Sequence, residues 1–245
     1  MSLFFVYVRF FLYLCAVNKN IDMTPKLFLQ ALTKFVFGLL LIGLLLFFPA
    51  GTFDFWQAWL FIAVLFVPMC IAGIILMIRQ PDLLRKRLDA KEQQQEQKWV
   101  VALSGLMFVA VFVVAGLNRR FGWYLLPDWA VYVATAIFLL AYAMYAEVMR
   151  ENMWLSRTVE VQENQQVVST GLYGIVRHPM YAATLLLFLS MPLVLASLWS
   201  FVVMLIYIPI IAIRIRNEEQ LLERELKGYT EYKQRVRYKV IPFIW

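Results

Sequence analysis

The chain has 245 residues, 62% of them hydrophobic and 16% charged, with a net charge of +7. A soluble domain carries roughly 45–50% apolar residues, so the composition excludes an ordinary soluble enzyme and points to a polytopic membrane protein. The positive balance does not point to nucleic acid: six Lys and Arg are massed in residues 79–98 and eight in 214–239, which the positive-inside rule and anionic headgroups explain.

Residues 1–16 are apolar and aromatic, with Arg9 in their middle and no small-residue cleavage signal. The segment 1–26 therefore reads as a peripheral or re-entrant piece, or as an extension ahead of a start at Met23. Hydropathy predicts a first span over about 27–48, closed by Pro49-Ala50-Gly51, and a second over about 55–78. The turn between them is so short that the two helices are antiparallel neighbours. Trp56 and Trp59 suit an interfacial anchor, and Pro68 is placed to kink the second helix. Cys15 and Cys70 both lie in apolar stretches without a CxxC pair, the pattern of small buried hydrophobes rather than a disulfide or metal site.

Residues 79–98 are polar and glutamine-rich, with Arg85-Lys86-Arg87 at their centre. They read either as an amphipathic helix on the inner leaflet or as a lid over a substrate entrance. Third and fourth spans follow over about 99–117 and 129–149. Glu147, at the end of the fourth, is either a helix-end anchor or a site wall. The apolar block 181–213 is too long for one span. Pro192 and residues 197–200 divide it into two helices, with Pro209 bending the second, and broken helices of this kind line cavities. The fold class is thus an all-α polytopic membrane protein with about six transmembrane helices, five at the least. Its expected units are 1–26, the helices of 27–150, and a cofactor-binding core over 151–245. An even number of crossings puts both termini on the basic, cytoplasmic side, and a bacterial inner membrane is the expected location.

The only histidine stands in Gly171-Leu172-Tyr173-Gly174-Ile175-Val176-Arg177-His178-Pro179-Met180-Tyr181. It lies at a helix entrance, where free N–H groups bind polar or anionic ligand atoms and proline at the first turn costs little. His178 is then a ligand contact or a structural cap, and Gly171 and Gly174 let the backbone approach a ligand. Downstream, Arg214-Ile215-Arg216-Asn217-Glu218-Glu219-Gln220-Leu221-Leu222-Glu223-Arg224 places Arg214, Glu218 and Leu221 on one helical face, with Leu222 beside it. Carboxylates there suit ribose hydroxyls or an ammonium group, and an arginine suits a carboxylate. A solvated helix stitched by ion pairs is the plain alternative. Tyr229 and Tyr232 are placed to pack over an aromatic or sulfonium group, or to root the tail among headgroups. HExxH, Walker, GxSxG and GxGxxG motifs are absent, and one histidine cannot build a histidine-rich metal centre, so no metal is expected.

These residues resemble the isoprenylcysteine carboxyl methyltransferase family, within the wider group that includes phospholipid N-methyltransferases. The resemblance rests on Gly171-Leu172-Tyr173, Val176 to Tyr181, Glu218-Glu219, Leu222, Gly228-Tyr229, Tyr232 and the Val236-Arg237-Tyr238 to Pro242 ending, with Gln80-Pro81-Asp82-Leu83-Leu84 upstream. Leu172 stands where the family turn often has proline. The resemblance implies an integral-membrane enzyme using S-adenosylmethionine. The donor would be held by Tyr173, Val176, Arg177, His178, Pro179, Tyr181 and Glu218, with Tyr229 and Tyr232. Arg224 would hold a substrate carboxylate with Glu219 positioning it, and Arg214 or Arg235 are alternatives for that role. The acceptor would be a lipophilic molecule or lipid met within the membrane, and no oligomeric state is implied. A sterol-type reductase using NADPH and a non-enzymatic transporter or scaffold are the competing readings.

Overall fold

The structure is a computed structural model that describes residues 25–79, 81, 84, 85, 88, 95–152, 154 and 161–245. The expectations for 1–24, for most of 80–94 and for 155–160 lie outside the described residues. Eight α-helices are named here: α1 Pro25–Ala50, α2 Trp56–Arg79, α3 Gln95–Phe121, α4 Asp128–Glu151, α5 Pro179–Val194, α6 Leu198–Met204, α7 Tyr207–Glu225 and α8 Tyr229–Arg235. No strand occurs among the described residues beyond an isolated bridge between Leu125 and Ser197.

Among the described residues, five helical stretches are long and apolar enough to cross a bilayer: α1, α2, residues 102–121 of α3, α4, and the run 198–225 containing α6 and α7. Their outward faces carry Val36, Phe37, Leu40 and Leu44 on α1, Val67, Ile71 and Ile75 on α2, and Val133, Ile137 and Leu140 on α4, all exposed. In water such faces would collapse; in lipid they are the solvated side, while the backbone is satisfied within each helix. The protein is an integral membrane protein. α5 is the sixth, shorter apolar helix, of 16 residues. At 1.5 Å per residue it is about 24 Å long, less than the ~30 Å hydrocarbon core.

Helix ends follow local chemistry. Gly51 (φ +68°) and Gly122 (φ +61°) adopt the left-handed turn that ends α1 and α3. Their N–H groups donate to Phe47 O and Asn118 O, each at 2.9 Å. α1 and α3 approach closely because residue 116 is glycine: a Cβ there would stand 2.6 Å from Leu46 O. Small residues serve this purpose between membrane helices. α2 runs through Pro68, whose missing N–H loosens the turn. There the Tyr142 hydroxyl from α4 donates to Leu65 O at 2.9 Å.

The helices alternate direction, so the turns at 51–55, 122–127 and 195–197 share one end of the bundle. That end is rimmed by exposed Trp56, Trp59, Trp123, Trp129, Tyr132 and Trp199, an interfacial aromatic belt. Arg119 binds Asp54 O there at 2.9 Å. The α5–α6 turn is fastened by Ser197, which caps α6 by accepting from Ser200 N at 3.3 Å, while Ser200 Oγ donates to Val111 O of α3. The division of 181–213 therefore falls where Pro192 and the serines put it. Pro209 distorts the second helix as expected: it offers no N–H to Leu205 O and its ring crowds that carbonyl, and the run is interrupted at Leu205–Ile206 before α7 continues from Tyr207.

At the opposite end, Leu84 packs with Leu27 and Met77, and Leu88 joins them. Leu84 and Leu88 are thus seated against α1 and α2. The core of the bundle gathers Leu46, Phe61, Val111, Phe138, Val194, Met204, Ile211 and Ile215, with α5 lying along α4 and beside α7. The ends of α4, α5 and α7 converge there, and the polar segments they carry form the site.

Candidate functional site

Gly171–Gly174 is a single 3₁₀ turn, and Gly171 (φ +51°) takes a conformation L residues avoid. The turn delivers Tyr173 inward and leads through Val176 into Arg177 and His178. His178 occupies the N-cap position of α5 and Pro179 its first turn, as the sequence implied. The two glycines do not line the cavity described below, contrary to expectation. They shape the turn, Gly171 against the Glu151 carboxylate and Gly174 beside Ser169 O.

Residues 177–178 pair with the tail. Arg177 N–H donates to Tyr238 O at 2.9 Å and His178 N–H to Lys239 O at 2.8 Å. The Arg177 guanidinium, almost fully buried, donates from Nη1 to Val236 O at 2.7 Å and to Arg237 O at 2.8 Å, and from Nε to Glu219 Oε1 at 2.8 Å. Glu219 also meets His178 Nε2 at 3.2 Å and, through Oε2, Lys239 Nζ at 3.0 Å. A carboxylate only accepts, so that ring nitrogen carries the proton. A buried carboxylate with both oxygens engaged by cations is the arrangement that repays desolvation. Glu219 is therefore a keystone joining the 177–178 segment, α7 and the tail.

One step along α7 the geometry changes. Ile211, Ile215 and Glu219 form the column facing the protein. Arg214, Glu218, Leu221 and Leu222 turn about 100° away and line a cavity, the face that spacing predicts. Tyr181, fully buried, donates its hydroxyl to Glu218 Oε2 and accepts from Arg214 Nε at 3.0 Å. His178 Nδ1 lies 4.0 Å from Glu218 Oε1. The Glu218 side chain is 25% exposed, so one carboxylate edge is held by Tyr181 while the group remains reachable.

The opposite wall comes from Asn152, Trp154 and residues 165–168, with Tyr173, Tyr229 and Tyr232. Asn152 Nδ2 donates to Tyr173 Oη at 2.8 Å, and Tyr232 Oη donates to Tyr173 O at 2.7 Å. The left-handed Gly228 (φ +86°) opens α8 and sends both tyrosines inward, their rings 5.8 Å apart. Burial, with the charges of Glu219 and Glu218 next, pushes the Tyr229 phenol well above its ordinary range, so it stays a hydrogen-bond donor. Its oxygen is buried with no hydrogen-bond partner among the described residues.

Of the residues singled out from sequence, Tyr173, Arg177, His178, Tyr181, Arg214, Glu218, Tyr229 and Tyr232 surround this one cavity. Val176 and Pro179 are buried beside it and do not line it. Arg224 is exposed and donates to Gln220 O of its own helix at 3.1 Å, and Arg235 is exposed. Glu147 forms an exposed ion pair with Arg150 at 2.6 Å, a helix-end anchor rather than a cavity wall. Sequence reasoning missed Asn152, Trp154, Gln165, Gln166 and Leu226, and the ion pair of Lys239. Asn152 follows directly on the charged end of α4, the one signal that could have pointed to it.

A family model described as phospholipid methyltransferase matches residues 129–227. The matched segment runs from α4 through the 3₁₀ turn and α5 to the end of α7, and holds most of the cavity. Over 91 residues, 36% of this chain, the sequence is 31% identical to a mouse (Mus musculus) delta(14)-sterol reductase. The alignment covers 22% of that protein, so the chain spans about a fifth of its length. A eukaryotic intramembrane Ras methyltransferase, isoprenylcysteine carboxyl methyltransferase, aligns over 99% of this chain and 93% of its own at 17% identity, with a TM-score of 0.48.

Proposed function

We propose that this chain is a membrane methyltransferase that takes a methyl group from S-adenosylmethionine and passes it to a lipophilic acceptor. The observation that carries the reading is the cavity itself. Around the matched segment, a reachable carboxylate, a buried phenol with no partner among the described residues and aromatic faces converge at the end of a lipid-facing bundle. These residues fit the donor. Glu218 suits ribose hydroxyls or the ammonium group, and Tyr229 has a hydroxyl to give. The Tyr229 and Tyr232 faces suit a sulfonium or an adenine ring, and the side-chain amides of Asn152, Gln165 and Gln166 suit polar edges. When bound, S-adenosylmethionine supplies an electrophilic methyl group for in-line displacement.

The chain's own work is alignment and exclusion of water. Arg177, locked to Glu219 and to the tail carbonyls, holds the cavity wall rather than touching the reacting atoms. Tyr181 fixes the Glu218 carboxylate. Arg214, at the α5–α7 edge of the cavity, is better placed than Arg224 to meet an anionic acceptor. A charged donor enters from the basic, cytoplasmic side, and an apolar acceptor arrives through the bilayer, α5 being short enough to sink the cavity below the headgroup plane. In this reading both ends of the bundle's chain face the cytoplasm.

The mouse reductase match favours a second reading, a nicotinamide-dependent reductase. The two separate in one titration of purified protein in detergent. The methyltransferase reading predicts saturable binding of S-adenosylmethionine and of its demethylated product, with NADPH failing to compete. Saturable NADPH binding without a response to S-adenosylmethionine would reverse the assignment.

A further inference from the structure

The stretch that clamps Arg177 also carries an unusual surface. Beyond the carbonyls of residues 236–239 the chain turns at Phe243, a non-glycine residue at φ +66°. That turn leaves Phe243 86% and Ile244 78% exposed. Val240 and Trp245 on either side are seated against the core of the bundle, so the turn is held at a definite depth beside α7. Lys239, Val240 and Ile241 N–H groups all donate to Trp245 O at 2.9–3.0 Å, which makes the turn tight. Tyr238 packs beside Phe243, ring centroids 5.3 Å apart. Directly before it, Arg235 at the end of α8 and Arg237 two residues on are both exposed. Among the described residues no ion pair involves either guanidinium, whereas the neighbouring Lys233 is paired with Glu223.

We propose that this turn docks on anionic phospholipid headgroups, Arg235 and Arg237 contacting phosphate while Phe243 and Ile244 enter the acyl boundary. The occupant is set by charge complementarity and by the juxtaposition of two cations with an apolar tip, the composition that binds anionic interfaces. The docking has a consequence for the site, because Arg177 donates to the carbonyls of Val236 and Arg237. Leaflet charge thereby steadies the segment that backs Arg177 in the wall of the proposed donor cavity. This consequence rests on the methyltransferase reading; the docking itself does not.

Two readouts keep the two apart. The first is trypsin cleavage after Arg235 and Arg237 in the whole protein reconstituted in nanodiscs. Replacing phosphatidylcholine with a mixture holding roughly 30% phosphatidylglycerol is expected to slow both cuts about tenfold. The protection is expected to vanish at about 0.5 M salt, where the Debye length is only a few ångströms, and Phe243→Ser/Ile244→Ser is expected to weaken it. The second readout is the affinity for S-adenosylmethionine in the same discs, expected to be several-fold tighter with phosphatidylglycerol in the native chain and indifferent to it in Arg235→Gln/Arg237→Gln. Equal cleavage in both lipids would overturn the proposal, as would protection that follows protein concentration and so assigns the face to a second copy. Cleavage protection with no donor binding in either lipid would leave the docking standing and defeat the methyltransferase reading instead.

Discussion

Glu218→Gln is expected to weaken S-adenosylmethionine binding roughly 10- to 150-fold, the range for losing a charged hydrogen bond of about 1.5–3 kcal/mol. Melting temperature should be little changed. Glu218 lies on the cavity face of α7, a quarter exposed, and its contacts are the Tyr181 hydroxyl and the more distant His178 ring. Glutamine preserves an oxygen to accept from Tyr181 but loses the charge offered to an ammonium or to ribose hydroxyls. Isothermal calorimetry with a parallel thermal melt checks both halves. Unchanged affinity would remove Glu218 from the donor site.

Arg177→Ala is expected to act in the opposite order, on stability first. The side chain is only 4% exposed and binds Glu219 and two tail carbonyls at 2.7–2.8 Å. Removing it leaves Glu219 to His178 and the half-exposed Lys239, and orphans the carbonyls of Val236 and Arg237. Breaking a buried pair from one side costs about 3–5 kcal/mol. The loss should appear as a marked drop in melting temperature together with lost donor binding. The paired change Arg177→Met/Glu219→Leu removes both charges and should recover much of the stability without restoring the site. A single variant that melts like the native protein would deny Glu219 its role as keystone.

The contrast between Glu218 and Glu219 measures how far the sequence could be read. Helical spacing alone places Arg214, Glu218, Leu221 and Leu222 on one face, and that face is the cavity wall. Spacing says nothing of what Glu219 meets on the other face. Its partners are 41 and 42 residues before it and 20 after it, at His178, Arg177 and Lys239, a conjunction only tertiary packing creates. Both carboxylates look equally available as letters; one is consumed by the fold. Arg224 lies off the cavity face for a related reason. It lies ten residues after Arg214, so 100° per residue carries it well round the helix from the cavity face, and there it folds back onto Gln220 O.

The bundle was legible because lipid solvation writes long apolar runs, and the break between α5 and α6 because Pro192 and Ser197 mark it chemically. The break before α7 was marked only indirectly, by Pro209 one turn downstream, since Leu205 and Ile206 themselves carry no turn signal. Residues 152 and 165–168 were silent. They belong to an irregular wall without periodicity, and only the returning tail and α8 give them an inward side.

The most direct measurement of the central claim is photolabelling with methyl-radiolabelled S-adenosylmethionine, followed by peptide mapping. The account predicts label in the peptides bearing Tyr173 to Tyr181 or Arg214 to Tyr232, suppressed by the demethylated product and untouched by NADPH. Label confined to the aromatic-belted end of the bundle, or displaced by NADPH, would contradict it.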